Sequence, residues 1–382
     1  MNNTLRDYGF DEAVAQAYSR ARADTSAHEP NKSEVPARVL EERRNLYIVV
    51  REGPDGSILT EEAVVSGKFR KSAASASQLP AVGDWVLLLP NQNGAATIRA
   101  VLPRRGAFMR KAPGDTDHDL VDAQVVAANV DLALIVCAVG EDWNERRIER
   151  YATLAKASGA RPLLAISKAD LAPDGGELLG RARIAAPGIT TILVCAPQGQ
   201  GLPELAAEIP SGSSVVLVGS SGAGKSTLLN ALAGQDLAST GEVREDDQRG
   251  RHTTTHRQLY RLSAGPAAGA LIIDTPGMRE LQLWADEDEV GGAFPEIEEL
   301  ARGCRFRDCR HELEPGCAVR EALESGALDA GRYEGWRKLV KEASFLRTKE
   351  DHAAKESERR RWKSIEMSRR AYAKTQRRGG ER

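Results

Sequence analysis

A chain of 382 residues is long enough for about two or three domains, and 41% hydrophobic against 28% charged residues fits soluble globular domains and excludes a fibrous or disordered polymer. No apolar run approaches the ~20 residues of a membrane span and Met1–Asp7 lacks a signal-peptide core, so a cytoplasmic chain without membrane contact is expected, whose five cysteines are poor disulfide candidates. The net charge of −2 is unevenly spread: residues 332–382 hold 17 Lys/Arg against 8 Asp/Glu, a net +9 that leaves −11 elsewhere, and this basic end suits a polyanionic partner.

Residues 1–37 mix charge, alanine and two prolines with a weak amphipathic stretch around Phe10–Tyr18, and read as a mobile arm with one short helix. Short β-type runs then follow at Leu46–Val50, Ala63–Val65, Asp84–Leu89 and Thr97–Leu102, separated by turns such as Gly53-Pro54-Asp55-Gly56. That spacing predicts a small β-barrel over residues 38–112. Lys68, Arg70, Lys71, Arg104, Arg105, Arg110 and Lys111 gather at its loops and exit, as an RNA-binding module would require.

Over residues 113–285 the pattern becomes α/β. Strand-like runs at Val130–Val139, Leu163–Ser167, Thr190–Cys195, Ser214–Val218 and Ala270–Asp274 alternate with helical stretches at Glu145–Ala157, Leu202–Glu208 and Lys225–Leu232. The alternation predicts a parallel sheet covered by helices on both faces. Residues 286–345 carry a cysteine cluster and helical patterning, and 346–382 read as a basic helical tail.

Gly219-Ser220-Ser221-Gly222-Ala223-Gly224-Lys225-Ser226 fits G-x-x-x-x-G-K-[ST], preceded by an apolar strand and followed by an amphipathic helix from Thr227. Such a loop closes backbone N–H groups around phosphate oxygens, Lys225 reaches the β- and γ-phosphates, and the Ser226 hydroxyl ligates Mg²⁺. Asp274-Thr275-Pro276-Gly277 ends a strand as D-x-x-G, in which Asp274 holds Mg²⁺ through water and the Gly277 N–H senses the γ-phosphate. Between them lie Thr253, Thr254 and Thr255, of which Thr254 is favoured as the second Mg²⁺ ligand. Met278 stands where a water-orienting Gln is usual, so His252 is the candidate for positioning the attacking water.

The base is read by Ser167-Lys168-Ala169-Asp170, a match to [NT]-K-x-D in which the carboxylate accepts from guanine N1 and N2. Adenine offers no such donor pair and would leave Asp170 unsatisfied. Ser167 replaces the usual Asn, and its shorter reach predicts a weaker or water-bridged tie to the base and to the phosphate loop. Cys195-Ala196 matches the small-residue loop whose N–H meets guanine O6. These base-reading motifs precede the phosphate loop, whereas in small GTPases they follow it. The order is that of a circular permutation, which carries the chain from Gly277 straight into the C-terminal module. Nucleotide-dependent movement of residues 275–285 is therefore expected to reach that module.

Cys304-x₄-Cys309-x-His311-x₅-Cys317 supplies three thiolates and an imidazole, a closed tetrahedral set for one structural Zn²⁺. Taken with Ala128-Asn129-Val130-Asp131, Gly250-Arg251-His252, Glu314-Pro315-Gly316-Cys317 and Arg332-Tyr333, these motifs resemble the small-ribosomal-subunit-dependent GTPase A family, of RsgA/YjeQ type, over residues 40–345. The resemblance implies a multidomain chain: an N-terminal OB-fold β-barrel, a circularly permuted P-loop α/β GTPase domain and a C-terminal, mainly helical zinc-binding domain. It implies late maturation of the small ribosomal subunit, GTP hydrolysis stimulated by that subunit and coupled to release from it, and contact with its rRNA by a monomer. It also places the catalytic histidine at His252 and the zinc ligands at Cys304, Cys309, His311 and Cys317.

Overall fold

The computed structural model describes residues 4–26, 33–44, 46–73, 75–91, 93–111, 123–140, 142–172, 174–237, 257–274 and 290–344. Its N-terminal barrel is built from β1 (Val35–Arg43), β2 (Leu46–Glu52), β3 (Ile58–Val65), β4 (Trp85–Leu89) and β5 (Ala96–Val101). Their order is β1-β2-β3-β5-β4, closed by β4 pairing back onto β1. The β3–β5 pair is parallel and its neighbours antiparallel, the closed arrangement of the OB-fold. Alternate residues Ala37, Val39, Val49, Val86, Leu88 and Ile98 point inward as period-2 strands require, and fill the barrel. Between β3 and β4, α2 (Gly67–Ser72) starts at Ser66, whose Oγ accepts from the Phe69 N–H at 3.1 Å.

Two expectations are corrected here. Residues 4–26, expected as part of a mobile arm, form a 3₁₀ turn at Leu5–Tyr8 and α1 (Glu12–Ser26) packed on the barrel. Leu5 and Val14 are buried with Trp85 and Leu102, and Phe10 meets the Trp85 ring edge-on at 5.2 Å. The barrel's first strand, β1, also begins inside the stretch assigned to the arm. Pro36 and the charged run Glu41-Glu42-Arg43 mask its alternation.

β6 (Ala107–Lys111) and β7 (Ala123–Ala128) form a separate antiparallel pair leading out of the barrel. The second domain follows as β8 (Leu132–Ala138), α3 (Glu145–Ala157), β9 (Arg161–Ser167), α4 (Gly175–Ala185), β10 (Thr191–Val194), α5 (Leu202–Ala207), β11 (Ser214–Val218), α6 (Lys225–Ala233), β12 (Arg257–Arg261) and β13 (Leu271–Asp274). Strands β10-β9-β8-β11-β13 are mutually parallel, and β12 lies antiparallel beside β13 and pairs on its other side with β1. Every residue of β8 is buried, as expected of a strand covered on both faces. From β8 the chain winds outward to β10, returns to β11, and continues on the other side to β13. The strand ends at the β8/β11 reversal are where such sheets bind ligands.

The C-terminal module contains α7 (Pro295–Arg302), α8 (Ala318–Glu324) and α9 (residues 330–344). Phe294, Ile297, Val319 and Leu339 share one core with Ile148 and Ala152 of α3, so the module rests on that helix. Arg150 of α3 grips Glu342 of α9 through two hydrogen bonds of 2.7 and 2.8 Å.

Barrel and sheet meet at Arg38, which is fully buried. Its Nε donates to the Gly83 carbonyl at 3.2 Å and its Nη2 to the Ser214 Oγ at 2.7 Å, while Nη1 donates to the Tyr8 carbonyl. Burial pulls its pKa down to about 10, which leaves it charged at neutral pH. Asn129, at the positive φ of 52°, donates to the Gly83 carbonyl and accepts from the Arg105 N–H. Asp131 accepts from the Ser214 N–H at 2.7 Å. The Ala128–Asp131 motif is thus the hinge pin between barrel and sheet.

Candidate nucleotide site and metal centre

The phosphate loop leaves β11 at Gly219 and enters α6 at Lys225. A Cβ on Gly219, at φ 153°, would lie 2.3 Å from the Val136 carbonyl oxygen, so only glycine fits so close to β8. Gly224 holds φ 85° as the residue before α6. Lys225 Nζ donates to the Gly219 carbonyl at 2.9 Å and to the Ser220 carbonyl, which holds the ammonium inside the loop. Ser226 and Thr227 follow in the first turn of α6, where unpaired N–H groups and the helix dipole favour anions.

Asp142, which sequence reasoning missed, supports this loop from the β8–α3 connection. Its Oδ1 accepts from the Ser220 hydroxyl and, at 2.5 Å, from Arg147 Nη1, and its Oδ2 accepts from the Ala138 N–H at 3.0 Å. The local signal was faint: an acid two residues before the cap Asn144, whose Oδ1 accepts from the Arg147 N–H at 3.0 Å.

β9 delivers Ser167 to the loop. Its hydroxyl donates to the Ala223 carbonyl at 2.6 Å, so on the phosphate-loop side the tie is direct rather than water-bridged. Ser167 and Gly224 are in contact range, since a Cβ on Gly224 would sit 3.6 Å from the Ser167 Oγ. Lys168 adopts φ 57°, a left-handed conformation that non-glycine residues hold only when surroundings impose it. Ala169 and Asp170 follow in a 3₁₀ turn. Cys195 closes this corner: its buried thiol donates to Asp170 Oδ1 at 3.1 Å. That bond raises the Cys195 pKa above the ordinary thiol value, because it favours the protonated form. Ala196 opens the next 3₁₀ turn, beside α6.

Ser167–Asp170, Cys195-Ala196 and Gly219–Thr227 therefore converge at one end of the sheet. Asp274 is the last residue of β13, the strand directly beside β11. His252, Thr254 and Gly277 lie outside the described residues, as do residues 275–285 and the tail from 345 onward.

In the C-terminal module Cys304, Cys309, His311 and Cys317 bring one ligand atom each within 4.8 Å of one another. His311 Nδ1 lies 3.5 Å from Cys304 Sγ and 3.3 Å from Cys317 Sγ, and the two sulfurs are 3.9 Å apart. Tetrahedral Zn–S bonds of ~2.3 Å place sulfurs ~3.8 Å apart, so the residues fit zinc. Burial lowers the His311 pKa, keeping the imidazole neutral as a ligand must be. The Tyr333 hydroxyl donates to the His311 carbonyl at 3.0 Å, and the Glu314 carboxylate accepts from the N–H groups of Arg310, Glu312 and Leu313 at 2.9 to 3.0 Å. The Arg310 N–H first, then the backbone N–H of Glu314 itself and those of Glu312 and Leu313, pull the Glu314 pKa down to about 2. Arg332 donates to the Ala185 and Ala293 carbonyls, each at 3.1 Å, and pairs with Glu296 at 2.7 Å. Arg332-Tyr333 thus locks the module to α4 with one residue and to the metal loop with the next. Among the described residues no helix is long and apolar enough to cross a membrane.

The family model that matches the chain is that of the RsgA GTPase, over residues 101–284. Small ribosomal subunit biogenesis GTPase RsgA 1 of Oceanobacillus iheyensis is 45% identical over 333 residues, covering 87% of this chain and 91% of its own. The corresponding RsgA of Opitutus terrae is 41% identical over 380 residues, 96% of this chain and 97% of its own. Among solved structures, YjeQ from Thermotoga maritima aligns at a TM-score of 0.59 and 26% identity, covering 81% of this chain and 99% of that one. YloQ, described as a circularly permuted GTPase, aligns at 0.57 and 26%, covering 83% and 97%.

Proposed function

The chain belongs to the RsgA GTPase family, and from that premise we propose that it hydrolyses GTP in late maturation of the small ribosomal subunit, stimulated by the subunit and released from it by hydrolysis. The observation that supports this reading most directly is the convergence of Ser167–Asp170, Cys195 and Gly219–Ser226, held by the Ser167–Ala223 and Cys195–Asp170 bonds. Asp170 accepts from guanine N1 and N2, Ala196 N–H meets O6, and Ser167 fixes the distance between base and phosphate subsites. The N–H groups of Gly222–Ser226 receive the phosphates, and Lys225 exchanges two carbonyl partners for phosphate oxygens. Ser226, Thr254 and Asp274 would hold Mg²⁺, which supplies charge to the β- and γ-phosphate oxygens. His252 orients the attacking water, and the Gly277 N–H reads the γ-phosphate.

Cys304, Cys309, His311 and Cys317 would hold Zn²⁺ in a structural role, since four protein ligands would leave no position open for substrate. The barrel's basic residues Lys68, Arg70 and Lys71, the zinc module and the basic tail dock on rRNA, so affinity falls steeply with salt. The protein works as a cytoplasmic monomer, divided into an N-terminal segment docked on the barrel, an OB-fold that takes in β1 from Val35 and runs to 112, a GTPase domain (113–285), a zinc-binding domain (286–345) and a tail (346–382). GTP turnover by the purified chain with and without small ribosomal subunits tests the reading, with large subunits and ATP as controls. Stimulation by small subunits alone is expected; flat turnover with retained RNA binding would favour an RNA-binding factor without useful hydrolysis.

A further inference from the structure

The barrel and the nucleotide sheet are one hydrogen-bonded surface. β1 belongs to the barrel along its whole length, with Ala37 and Val39 in the core and Glu41–Arg43 still paired to β2. Beyond the bulge between Val39 and Glu41, its other edge pairs antiparallel with β12 at Glu41 and Glu42. The register runs through three strands: Glu41 of β1 faces Gln258 of β12, and Gln258 faces Asp274 of β13. One step along, Glu42 faces Arg257.

Arg257 fastens that seam. Its Nη1 donates to Glu42 Oε2 at 3.0 Å and to the Val125 carbonyl at 3.3 Å, and its Nη2 donates to Gln124 Oε1 at 3.2 Å. The guanidinium thus ties the barrel's β1 and the connecting strand β7 to the start of β12. An exposed ion pair contributes little, but this arginine side chain is only 11% exposed and its acceptors come from two other elements. In sequence it stands two residues after Thr255.

We propose that Arg257, paired with Glu42, is a positioning residue through which docking of the barrel on the small subunit raises GTP hydrolysis. The inference rests on the function proposed above. A barrel held by RNA carries β1 with it; the Glu42–Arg257 tie fixes the end of β12 to β1, and the ladder passes the constraint to Asp274. Neither residue touches nucleotide or RNA in this scheme. Their loss removes the coupling and leaves the two sites intact.

The test compares the full-length wild type with Arg257→Ala, Arg257→Lys, Glu42→Gln and the reversed pair Glu42→Arg/Arg257→Glu. GTP turnover is measured alone and with saturating small subunits, together with KM for GTP, co-sedimentation with subunits and the thermal midpoint. In Arg257→Ala and Glu42→Gln the stimulated kcat is expected to fall about tenfold, the scale of an ordinary coupling free energy. Unstimulated kcat, KM and co-sedimentation stay at wild-type values, and the reversed pair, which restores the β1–β12 ion pair but not the donation to Val125 and Gln124, recovers stimulation in part. Arg257→Lys, which keeps the charge without the fork, falls between. Equal stimulation of wild type and Arg257→Ala overturns the inference and leaves the function standing. So does a drop in stimulated and unstimulated rates alike, which marks the seam as structural only. A wild type that small subunits fail to stimulate overturns the functional reading and this inference with it.

Discussion

Ser167 and Cys195 show how single side chains set the base-reading corner. The Ser167 hydroxyl spans from β9 to the phosphate loop in one 2.6 Å bond, so the short side chain suffices because the loop comes to it. Ser167→Ala strands the Ala223 carbonyl and is expected to weaken GDP and GTP binding by about tenfold, a loss of ~1–2 kcal/mol. The preference for guanine over adenine persists, because Asp170 carries it; titration with a fluorescent GDP analogue, competed by GTP and ATP, measures both. Cys195 makes a second prediction. Its pKa is raised in the folded protein by donation to Asp170, so the thiolate appears at higher pH than in free cysteine, near ~8.5. Site-resolved alkylation of the nucleotide-free protein should therefore have its pH midpoint above that of a free thiol, and Asp170→Asn should bring it down. A free-cysteine profile at Cys195 would show that the bond is not made in solution.

Helix α3 is the element on which two modules meet. Its N-terminal turn brings Arg147 to Asp142 under the phosphate loop, and a turn later Arg150 holds Glu342 of α9. The C-terminal module depends on the metal loop for its own shape, because residues 303–317 contain no regular element and are organised by the four ligands, Glu314 and Tyr333. His311→Ala is expected to lower bound zinc from one equivalent per chain to none. It opens residues 303–317 to protease while GDP affinity stays at the wild-type level; atomic absorption and limited proteolysis check the two halves separately. The phosphate loop, the ligand cluster and α3 itself were legible because each is written in a few consecutive residues with a fixed spacing. Strand β1, the docking of the N-terminal helix and Asp142 were not, since each is justified by a partner far along the chain: Trp85 for Phe10 and Val14, Ser220 for Asp142. Local pattern carries no trace of such pairings.

At the scale of the molecule, Arg38 is the point where arm, barrel and sheet converge. Its partners come from residues 8, 83, 129 and 214, and the guanidinium also lies 5.5 Å from the Trp85 ring centroid. Arg38→Ala takes a donor from the Tyr8, Gly83 and Asn129 carbonyls and from the Ser214 hydroxyl, of which the Gly83 carbonyl keeps Asn129 Nδ2, and is expected to cost ~2–4 kcal/mol of folding stability. The denaturant midpoint reports this, and because the residue joins several segments, barrel and sheet probes should shift together.

The β1–β12 pairing also dictates an order of events during synthesis. Glu41 meets Gln258, 217 residues later in the chain. At about 5–20 residues per second the ribosome takes roughly 10–40 s to make the intervening segment. Once β5 is complete at Val101 the barrel can close on itself, but until β12 is made the outer edge of β1 beyond the bulge, paired to β2 on its inner side, has no second strand to cover it. Bare edges of this kind recruit other chains. The run Glu41-Glu42-Arg43, which hid β1 from its own pattern, places charge on that edge, so the residues that later join the seam first protect the nascent barrel from aggregation.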